Sequence, residues 1–409
     1  MPSERFLHPV SPVARPAEET LRATVERLAA IERPPCSPGE REAAHLIADR
    51  LNALGHTAHV QEVPAYGSYA WPVGVIAALS TLAGLTGKRL RWTGTLAGAV
   101  LTAALADEIS YGRQFARTVL SSRRTACNVV ADLTPPRAQR QAPHRTLVIM
   151  AHHDAAPSGT VFDQTLPRWY ARRFPRAVER TRENLPVWWP VIAGPALVAF
   201  GSATRSPAVR RTGTALSALA AAAMADIGSH KAVPGANDNL SGVAVLIALA
   251  ESLARRPVPG LRVLLFSAGA EESLQEGVRG FAHHYFPGLA RESTWFLNLD
   301  TVGSGRLVLL DGEGPLRIET YDTAFGDMIA RCAVEQDIEI RRGPRSRTST
   351  DAVVPHRHGY PTACLVSVDD QKLIPHYHLP TDLPEHVDYR CVADAAQLAE
   401  AVARALAAH

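Results

Sequence analysis

The chain has 409 residues, a formal net charge of +3 and 46% hydrophobic residues. This length and composition fit a large α/β enzyme domain with insertions, and the small net charge, without basic runs interleaved with aromatic residues, excludes a nucleic-acid-binding protein. The five cysteines are scattered and form no Cys-x-x-Cys pair, so neither a disulfide framework nor a thiolate zinc site is predicted.

The first part of the chain predicts two amphipathic helices, at 17–31 and 38–54, and a strand at 57–63. Ser37 and Glu40 have the spacing of a capping box at the start of the second helix. The N-terminal residues, 1–18, are polar and rich in proline, and they lack the apolar run of a signal peptide. Residence on the cytoplasmic side is therefore the default expectation.

Two apolar stretches interrupt this pattern and resemble each other. Trp71-Pro72-Val73 is echoed by Trp189-Pro190-Val191, and Thr93-Gly94-Thr95 by Thr212-Gly213-Thr214. Asp107 and Asp226 follow the respective threonines at the same interval. An internal repeat of this kind predicts two apolar helical hairpins, at 68–112 and 186–229, inserted into a single catalytic domain that spans residues 1–409.

The two hairpins are rich in small residues, which suits close packing of helices. Their apolar runs are borderline or short for membrane spans, so membrane hairpins compete with a soluble four-helix lid or dimerisation arm. We favour membrane association. The flanks next to the catalytic domain carry more basic residues than the tips, which are marked by Lys88, Arg89, Arg91, Arg205, Arg210 and Arg211. The positive-inside tendency then places the catalytic domain on the cytoplasmic side.

The remaining sequence alternates strands and helices. Strands are predicted at 126–133, 146–151, 262–268, 294–299, 338–341 and 363–366, and helices at 240–255, 276–286, 321–335 and 387–407. This alternation predicts an α/β fold, a three-layer sandwich with a mostly parallel central sheet.

Acidic and imidazole side chains follow the predicted strands where catalytic groups lie in such folds, beyond the C-terminal strand ends. They occur in His152-His153-Asp154, in Glu271-Glu272, at Asp300 and in His376-Tyr377-His378, while Asp238 lies in the turn Gly235-Ala236-Asn237-Asp238-Asn239. Each alone is more simply explained as a core histidine, a solvated acid or a helix-capping turn. Together they form an oxygen and nitrogen ligand set without thiolate, which suits a pair of zinc ions.

The order His-x-Asp, Gly-x-Asn-Asp-Asn-x-Ser-Gly, Glu-Glu, Asn-x-Asp and Tyr-His resembles the co-catalytic di-zinc exopeptidases. That family includes secreted bacterial aminopeptidases and relatives among glutamate carboxypeptidases and glutaminyl cyclases. The resemblance covers about residues 40–67, 126–157 and 232–405 and skips both hairpins. It implies that Asp238 bridges two Zn²⁺ ions, that His152 and Asp300 complete one site, and that Glu272 and His378 complete the other.

The same resemblance implies the roles of three further residues. Glu271 would be the general base that takes a proton from the attacking water and returns it to the leaving amine. Asp154 would hold the imidazole of His152 from behind, as metal-bound histidines require. Tyr377 matches a position that hydrogen-bonds the oxyanion in some relatives.

The sequence departs from the family pattern near the expected substrate pocket. Ala155 replaces a serine, the loop Ser273–Gly280 is altered, and a Ser-Asp-His element is reduced to Thr350-Asp351-Ala352. We therefore predict a zinc metallopeptidase, an aminopeptidase acting on short peptides, whose side-chain preference and oligomeric state the sequence does not indicate. The alternatives are other amide chemistry, such as carboxypeptidase or glutaminyl cyclase activity, and a non-catalytic membrane or partner scaffold.

Overall fold

A computed structural model describes residues 11–86, 91–134 and 145–408. The helices of the first half are α1 (Glu18–Ala29), α2 (Pro38–Ala53), α3 (Ala70–Thr86), α4 (Arg91–Ile109), α5 (Phe115–Leu120), α6 (Thr165–Arg173), α7 (Pro175–Arg180), α8 (Trp189–Ala203) and α9 (Pro207–Ser229). Those of the second half are α10 (Ser241–Arg255), α11 (Glu276–Tyr285), α12 (Thr323–Glu335), α13 (Val353–Arg357) and α14 (Tyr389–Ala407).

The strands form one large and one small sheet. They are β1 (Thr57–Ala65), β2 (Arg124–Asp132), β3 (Thr146–His152), β4 (Arg262–Ala268), β5 (Thr294–Leu299), β6 (Arg306–Leu309), β7 (Gly312–Glu313), β8 (Glu319–Thr320), β9 (Ile340–Arg342), β10 (Arg345–Ser346) and β11 (Thr362–Val368). The large sheet has eight strands in the order β1-β2-β4-β3-β5-β11-β6-β9, and the small one has the order β10-β7-β8. At the centre of the large sheet, β4, β3, β5 and β11 run parallel.

The central strand β3 is buried along its whole length, because helices cover both faces of the sheet. Its alternate residues Leu147 and Ile149 belong to a core formed with α1, α2, α10, α12 and α14. Val148 and Met150 point to the opposite face, into a smaller core formed with α11 and α13. The expected α/β architecture with a mostly parallel central sheet is therefore confirmed.

The four helices predicted for the two hairpins are present as α3, α4, α8 and α9, and they pack on one another. Small residues allow close approach: a Cβ added to Gly213 of α9 would lie 2.6 Å from the carbonyl oxygen of Gly194 in α8. Ser80 of α3 and Ser217 of α9 share a buried hydrogen bond of 2.9 Å. We call these four helices the helical bundle. The division of the chain into one domain with insertions at 68–112 and 186–229 stays a prediction.

Within the described ranges, no helix is both long enough and apolar enough to cross a bilayer. The prediction that the hairpins are membrane spans is therefore not supported. The 15 residues of α8 rise only about 22 Å, whereas a bilayer core is about 30 Å thick. Helix α4 carries Asp107 and Glu108 in its last turn, and α9 carries Arg210, Arg211 and Asp226. The predicted orientation of the catalytic domain assumed that the hairpins enter a membrane, so it loses its basis. Two of the basic residues used for it, Lys88 and Arg89, lie outside the described residues.

Candidate metal centre

Three of the predicted motifs meet because their strands are neighbours. The order β4-β3-β5 places His152, at the end of β3, between the loop that follows β4 and the residue that follows β5. The loop after β4 carries Glu271 and Glu272, and β5 is followed directly by Asp300. The carboxyl ends of these parallel strands share one edge of the sheet, so the sequence motifs converge there.

The turn that carries Asp238 is buried and bonded to its surroundings, and it is not a solvated helix cap. Asp382 accepts hydrogen bonds from the backbone N–H groups of Asn237, at 2.9 Å, and Asp238, at 3.1 Å. The side chain of Asn239 bonds the carbonyl oxygen of Leu299 and the N–H of Thr301. The peptide bond between Asp238 and Asn239 is cis. These bonds tie the turn to the end of β5 and to the segment that holds His378.

The two carboxylate oxygens of Asp238 face two different imidazoles. Its Oδ1 lies 3.2 Å from His152 Nε2, and its Oδ2 lies 3.2 Å from His378 Nε2. The same His378 nitrogen lies 3.3 Å from Glu272 Oε2. Ligand atoms of His152, Asp238 and Glu272 all fall within 4.8 Å of one another. The structure thus brings four of the five predicted metal ligands into one buried group.

Asp300, the fifth predicted ligand, lies beside this group and is half-buried. Burial raises the pKa of its carboxyl to about 7, and the carboxylates of Asp238 and Glu272 add to the shift while His152 opposes it. These mutual influences place Asp300 within electrostatic reach of the other four ligands.

The carboxylates of the cluster favour the positively charged form of its two imidazoles. Burial disfavours the charged imidazoles, yet Glu272 and Asp238 raise the pKa of His378 to about 10, and Asp154 and Asp238 raise that of His152 well above its usual value. Buried polar atoms also lack hydrogen bonds, among them Asp238 Oδ2, Glu272 Oε1 and both ring nitrogens of His378. Imidazole and carboxylate groups that converge and leave such buried atoms without hydrogen-bond partners fit zinc, which prefers this ligand set.

The adjacent acids Glu271 and Glu272 point to different partners, as the sequence predicted. Glu272 faces His378, whereas Glu271 Oε1 accepts a short hydrogen bond from the side-chain amide of Gln275. Burial raises the pKa of Glu271 well above its usual range, and the charges of Glu272 and Asp351 add to the shift while His152 opposes it. A carboxyl group with a raised pKa holds a proton more readily than an ordinary glutamate, which suits a residue that accepts and returns a proton.

The Asp154 carboxylate has hydrogen-bond partners other than the imidazole implied by the family pattern. Its Oδ1 lies 3.6 Å from His152 Nδ1, longer than a hydrogen bond, and the same nitrogen is 3.2 Å from the Asp154 carbonyl oxygen. The carboxylate instead accepts the backbone N–H groups of Glu271 and Glu272, both at 3.0 Å. Tyr377, the third predicted residue, stacks on His378 with ring centroids 3.9 Å apart.

Sequence reasoning missed two residues that support the site, Gln275 and Arg117. Gln275 was noted only as part of an altered loop. Arg117, in α5, is fully buried and bonds Glu108, Glu276 at 2.9 Å and the carbonyl oxygen of Ser273 at 2.7 Å. The position of Arg117 next to the predicted hairpin did not indicate this contact, because nothing in the sequence shows that α5 packs against the loop after Glu272.

Residues 218–403 match the model of Peptidase family M28, and the family resemblance predicted from the motifs is thereby confirmed. This match, together with the buried ligand group, identifies a metallo-exopeptidase, an enzyme that hydrolyses peptide bonds at chain ends with zinc. No curated protein sequence matches the chain significantly.

Several solved structures share the fold. The zinc aminopeptidase BSAP of Bacillus subtilis is 16% identical, with a TM-score of 0.53 over 95% of this chain and 95% of that one. A leucine aminopeptidase precursor of Bacteroides thetaiotaomicron is 14% identical, with a TM-score of 0.56 over 97% and 99% of the two chains. A glutaminyl cyclase of the same organism is 13% identical, with a TM-score of 0.57 over 96% and 99%.

Proposed function

We propose that this metallo-exopeptidase is an aminopeptidase that removes N-terminal residues from short peptides, with two zinc ions and Glu271 as general base. One observation carries the proposal: the two oxygens of Asp238 face the separate imidazoles of His152 and His378, each at 3.2 Å. A carboxylate that bridges two cations needs this arrangement. His152 and Asp300 would hold one ion, and Glu272 and His378 the other.

Zinc bound there would acidify a water molecule and polarise the peptide carbonyl. The chain's own residues then handle the proton. Glu271 lies beside the ligands and outside their contacts with each other, so it accepts the proton of the attacking water and gives it to the leaving amine. Asp154 fixes the backbone of Glu271 and Glu272, and Gln275 orients the Glu271 carboxylate. Tyr377 lies against His378, where it would hydrogen-bond the oxyanion.

Glutaminyl cyclisation is the second candidate, because a glutaminyl cyclase is among the structures with this fold. In both reactions a carboxyl group transfers a proton while an amide bond is broken. They differ in the substrate, since the cyclase reaction needs an N-terminal glutamine and releases ammonia, whereas an aminopeptidase accepts other N-terminal residues.

The proposal is tested by hydrolysis of an aminoacyl p-nitroanilide panel with added zinc, with wild type beside Glu271→Gln. The amide keeps the shape of the side chain and cannot accept the proton, so turnover should fall about a hundredfold or more. Zinc content, measured by mass spectrometry of the metal, should stay at two ions per chain in both proteins. Glu292→Gln, on the surface, is the matched control and should keep wild-type turnover.

The outcomes separate the candidates. Release of ammonia from N-terminal glutamine substrates without cleavage of the panel would identify the cyclase. Cleavage of amino-blocked peptides from the carboxyl end would identify a carboxypeptidase. If wild type holds two zinc ions and turns over none of these substrates, the chain is a non-catalytic scaffold and the aminopeptidase proposal is wrong.

A further inference from the structure

A group of apolar side chains lies where the helical bundle meets the catalytic centre. Tyr69 is buried, and the half-buried side chains of Phe162, Trp188, Leu274 and Leu316 pack against the same cluster. The rings of Tyr69 and Trp188 meet edge to face with centroids 5.8 Å apart. We call these five side chains the apolar wall. Because four of them are only partly covered, the wall keeps apolar surface that the protein itself does not cover.

The apolar wall adjoins the proposed zinc ligands at Phe162 and, along the chain, at Leu274. The ring of Phe162 lies edge to face against His378, with centroids 4.4 Å apart, and 6.0 Å from Tyr377. Leu274 follows Glu272 by two residues and lies in the loop that carries both acids. Burial raises the pKa of Tyr69, and the charges of Glu272 and Glu271 contribute, so the phenol lies within electrostatic reach of both.

The helical bundle holds this wall in place. Tyr69 precedes the first residue of α3, and Trp188 precedes the first residue of α8. Asp226 of α9 accepts hydrogen bonds from the N–H group of Thr160, at 2.7 Å, and from its hydroxyl, at 2.9 Å. These bonds fix the short turn that ends in Phe162.

The second hairpin is anchored to the catalytic domain at its base as well. The indole of Trp189 donates a hydrogen bond of 3.1 Å to the carbonyl oxygen of Pro315, the neighbour of Leu316. Each hairpin therefore contributes an aromatic side chain to the wall, and the second hairpin also fixes Phe162 and the strand-loop segment at Leu316.

We propose that the inserted helical bundle builds the substrate's side-chain pocket through this apolar wall, and that the pocket takes a large apolar side chain next to the scissile bond. None of the five side chains is charged. An apolar substrate side chain gains free energy when it leaves water there, whereas a lysine or glutamate side chain loses hydration without a partner from the wall. The inference rests on the proposed function and names the substrate class that the function left open.

The test compares kcat/KM for the glycine, leucine, phenylalanine, lysine and glutamate p-nitroanilides in the zinc-loaded enzyme. Wild type should prefer leucine and phenylalanine over lysine and glutamate. Phe162→Ala and Leu274→Ala should lower the phenylalanine-to-glycine ratio about tenfold or more, the effect of losing a buried hydrophobic contact. Phe200→Ala, which removes a phenylalanine that is 61% exposed on α8, is the matched control and should leave the ratio unchanged.

A binding measurement keeps the inference testable without turnover. Titration calorimetry of zinc-loaded protein with the hydroxamates of phenylalanine and glycine gives a ratio of Kd values. Wild type should bind the phenylalanine compound at least tenfold more tightly than the glycine compound, and Phe162→Ala should reduce this Kd ratio. That result would support the proposed role of the apolar wall even if the aminopeptidase proposal fails. A Kd ratio near one in wild type, an unchanged ratio in both variants, or a preference for a charged side chain would overturn it.

Discussion

The Asp154 carboxylate accepts the backbone N–H of Glu271 at 3.0 Å, and its second oxygen accepts that of Glu272 at the same distance. One buried side chain thereby links the end of β3 with the loop that follows β4. The link fixes the proposed general base and a proposed zinc ligand relative to His152, which lies only two residues before Asp154. Placement of the acids therefore depends on a residue that need not touch the metal.

Asp154→Asn should weaken zinc binding and lower activity together. The asparagine amide can accept only one of the two N–H groups and turns its own N–H₂ toward the other, so the loop of Glu271 and Glu272 must shift. Loss of a residue that supports a metal site typically costs 10- to 100-fold in affinity or activity. Zinc titration by calorimetry checks the affinity. Asp370→Asn, at an exposed ion pair, should bind zinc as wild type does, and equal affinity in both variants would contradict the supporting role.

Local sequence patterns predicted the elements well, because apolar periodicity determines which residues face the core. The strands that end at His152 and just before Glu271 and Asp300 begin and end within a few residues of their expected bounds. The capping box was correct in part: Ser37 accepts the N–H of Glu40, but the Glu40 carboxylate bonds the N–H groups of Cys36, Cys127 and Ala270 instead of that of Ser37. A capping-box pattern identifies partners that are close in sequence. It cannot reveal that two N–H groups distant in sequence, those of Cys127 and Ala270, compete for the same carboxylate oxygens.

The contacts that α5 and the turn at Phe162 make with the candidate site were not predictable for the same reason. Arg117 lies 156 residues before Ser273, and Phe162 lies 216 residues before His378, as their numbers show. Helices α6 and α7 were missed because large apolar residues there, such as Leu166 and Trp169 of α6, remain exposed and give no buried stripe. The candidate metal ligands could be inferred from the family motifs. The residues around the site that determine substrate specificity could not, because their positions depend on tertiary packing.

Gln275→Met should lower kcat while KM changes little. Methionine fills the same space and removes the amide that donates to Glu271 and, at 3.1 Å, to the carbonyl oxygen of Ser349. The Glu271 carboxylate then loses its fixed orientation, for which we expect about a tenfold decrease in kcat. Separate determination of kcat and KM, with zinc content and Tm measured on the same samples, checks this role. Gln61→Met, on the edge strand β1, is the control, and a Gln275→Met enzyme with full kcat would contradict the prediction.

Arg117→Met should destabilise the fold strongly. The guanidinium is 1% exposed and lies between two buried carboxylates, Glu108 and Glu276, which the variant leaves without their cation. Breaking a buried ion pair in this way costs about 3–5 kcal/mol in the free energy of unfolding. Urea denaturation measures the loss. Arg41→Met, which breaks the exposed pair with Glu62, should cost about 1 kcal/mol or less, and similar losses in both variants would contradict this account.

Glu313→Gln should remove a pH dependence of stability. Burial raises the pKa of Glu313 to about 8 from its usual 4.5, although Thr350 donates hydrogen bonds to the carboxylate through its N–H and hydroxyl groups. Between these two values the folded protein keeps a proton that the unfolded chain has lost, so this group lowers stability as pH rises from about 4.5 to 8. The neutral amide carries no such cost, and the variant should exceed wild type by roughly 1–3 kcal/mol at pH 8.

Urea denaturation of wild type and Glu313→Gln at pH 5, 7 and 9, at one fixed zinc concentration, gives this difference directly. The difference between the two proteins should be smallest at pH 5, because Glu313 is still protonated in the folded protein and pH 5 lies only slightly above the usual glutamate pKa of 4.5 in the unfolded chain. Glu292→Gln, which alters an exposed carboxyl, should follow the wild-type curve throughout. A constant offset between Glu313→Gln and wild type across the three pH values would mean that Glu313 is already ionised in the fold, held by the two donors of Thr350.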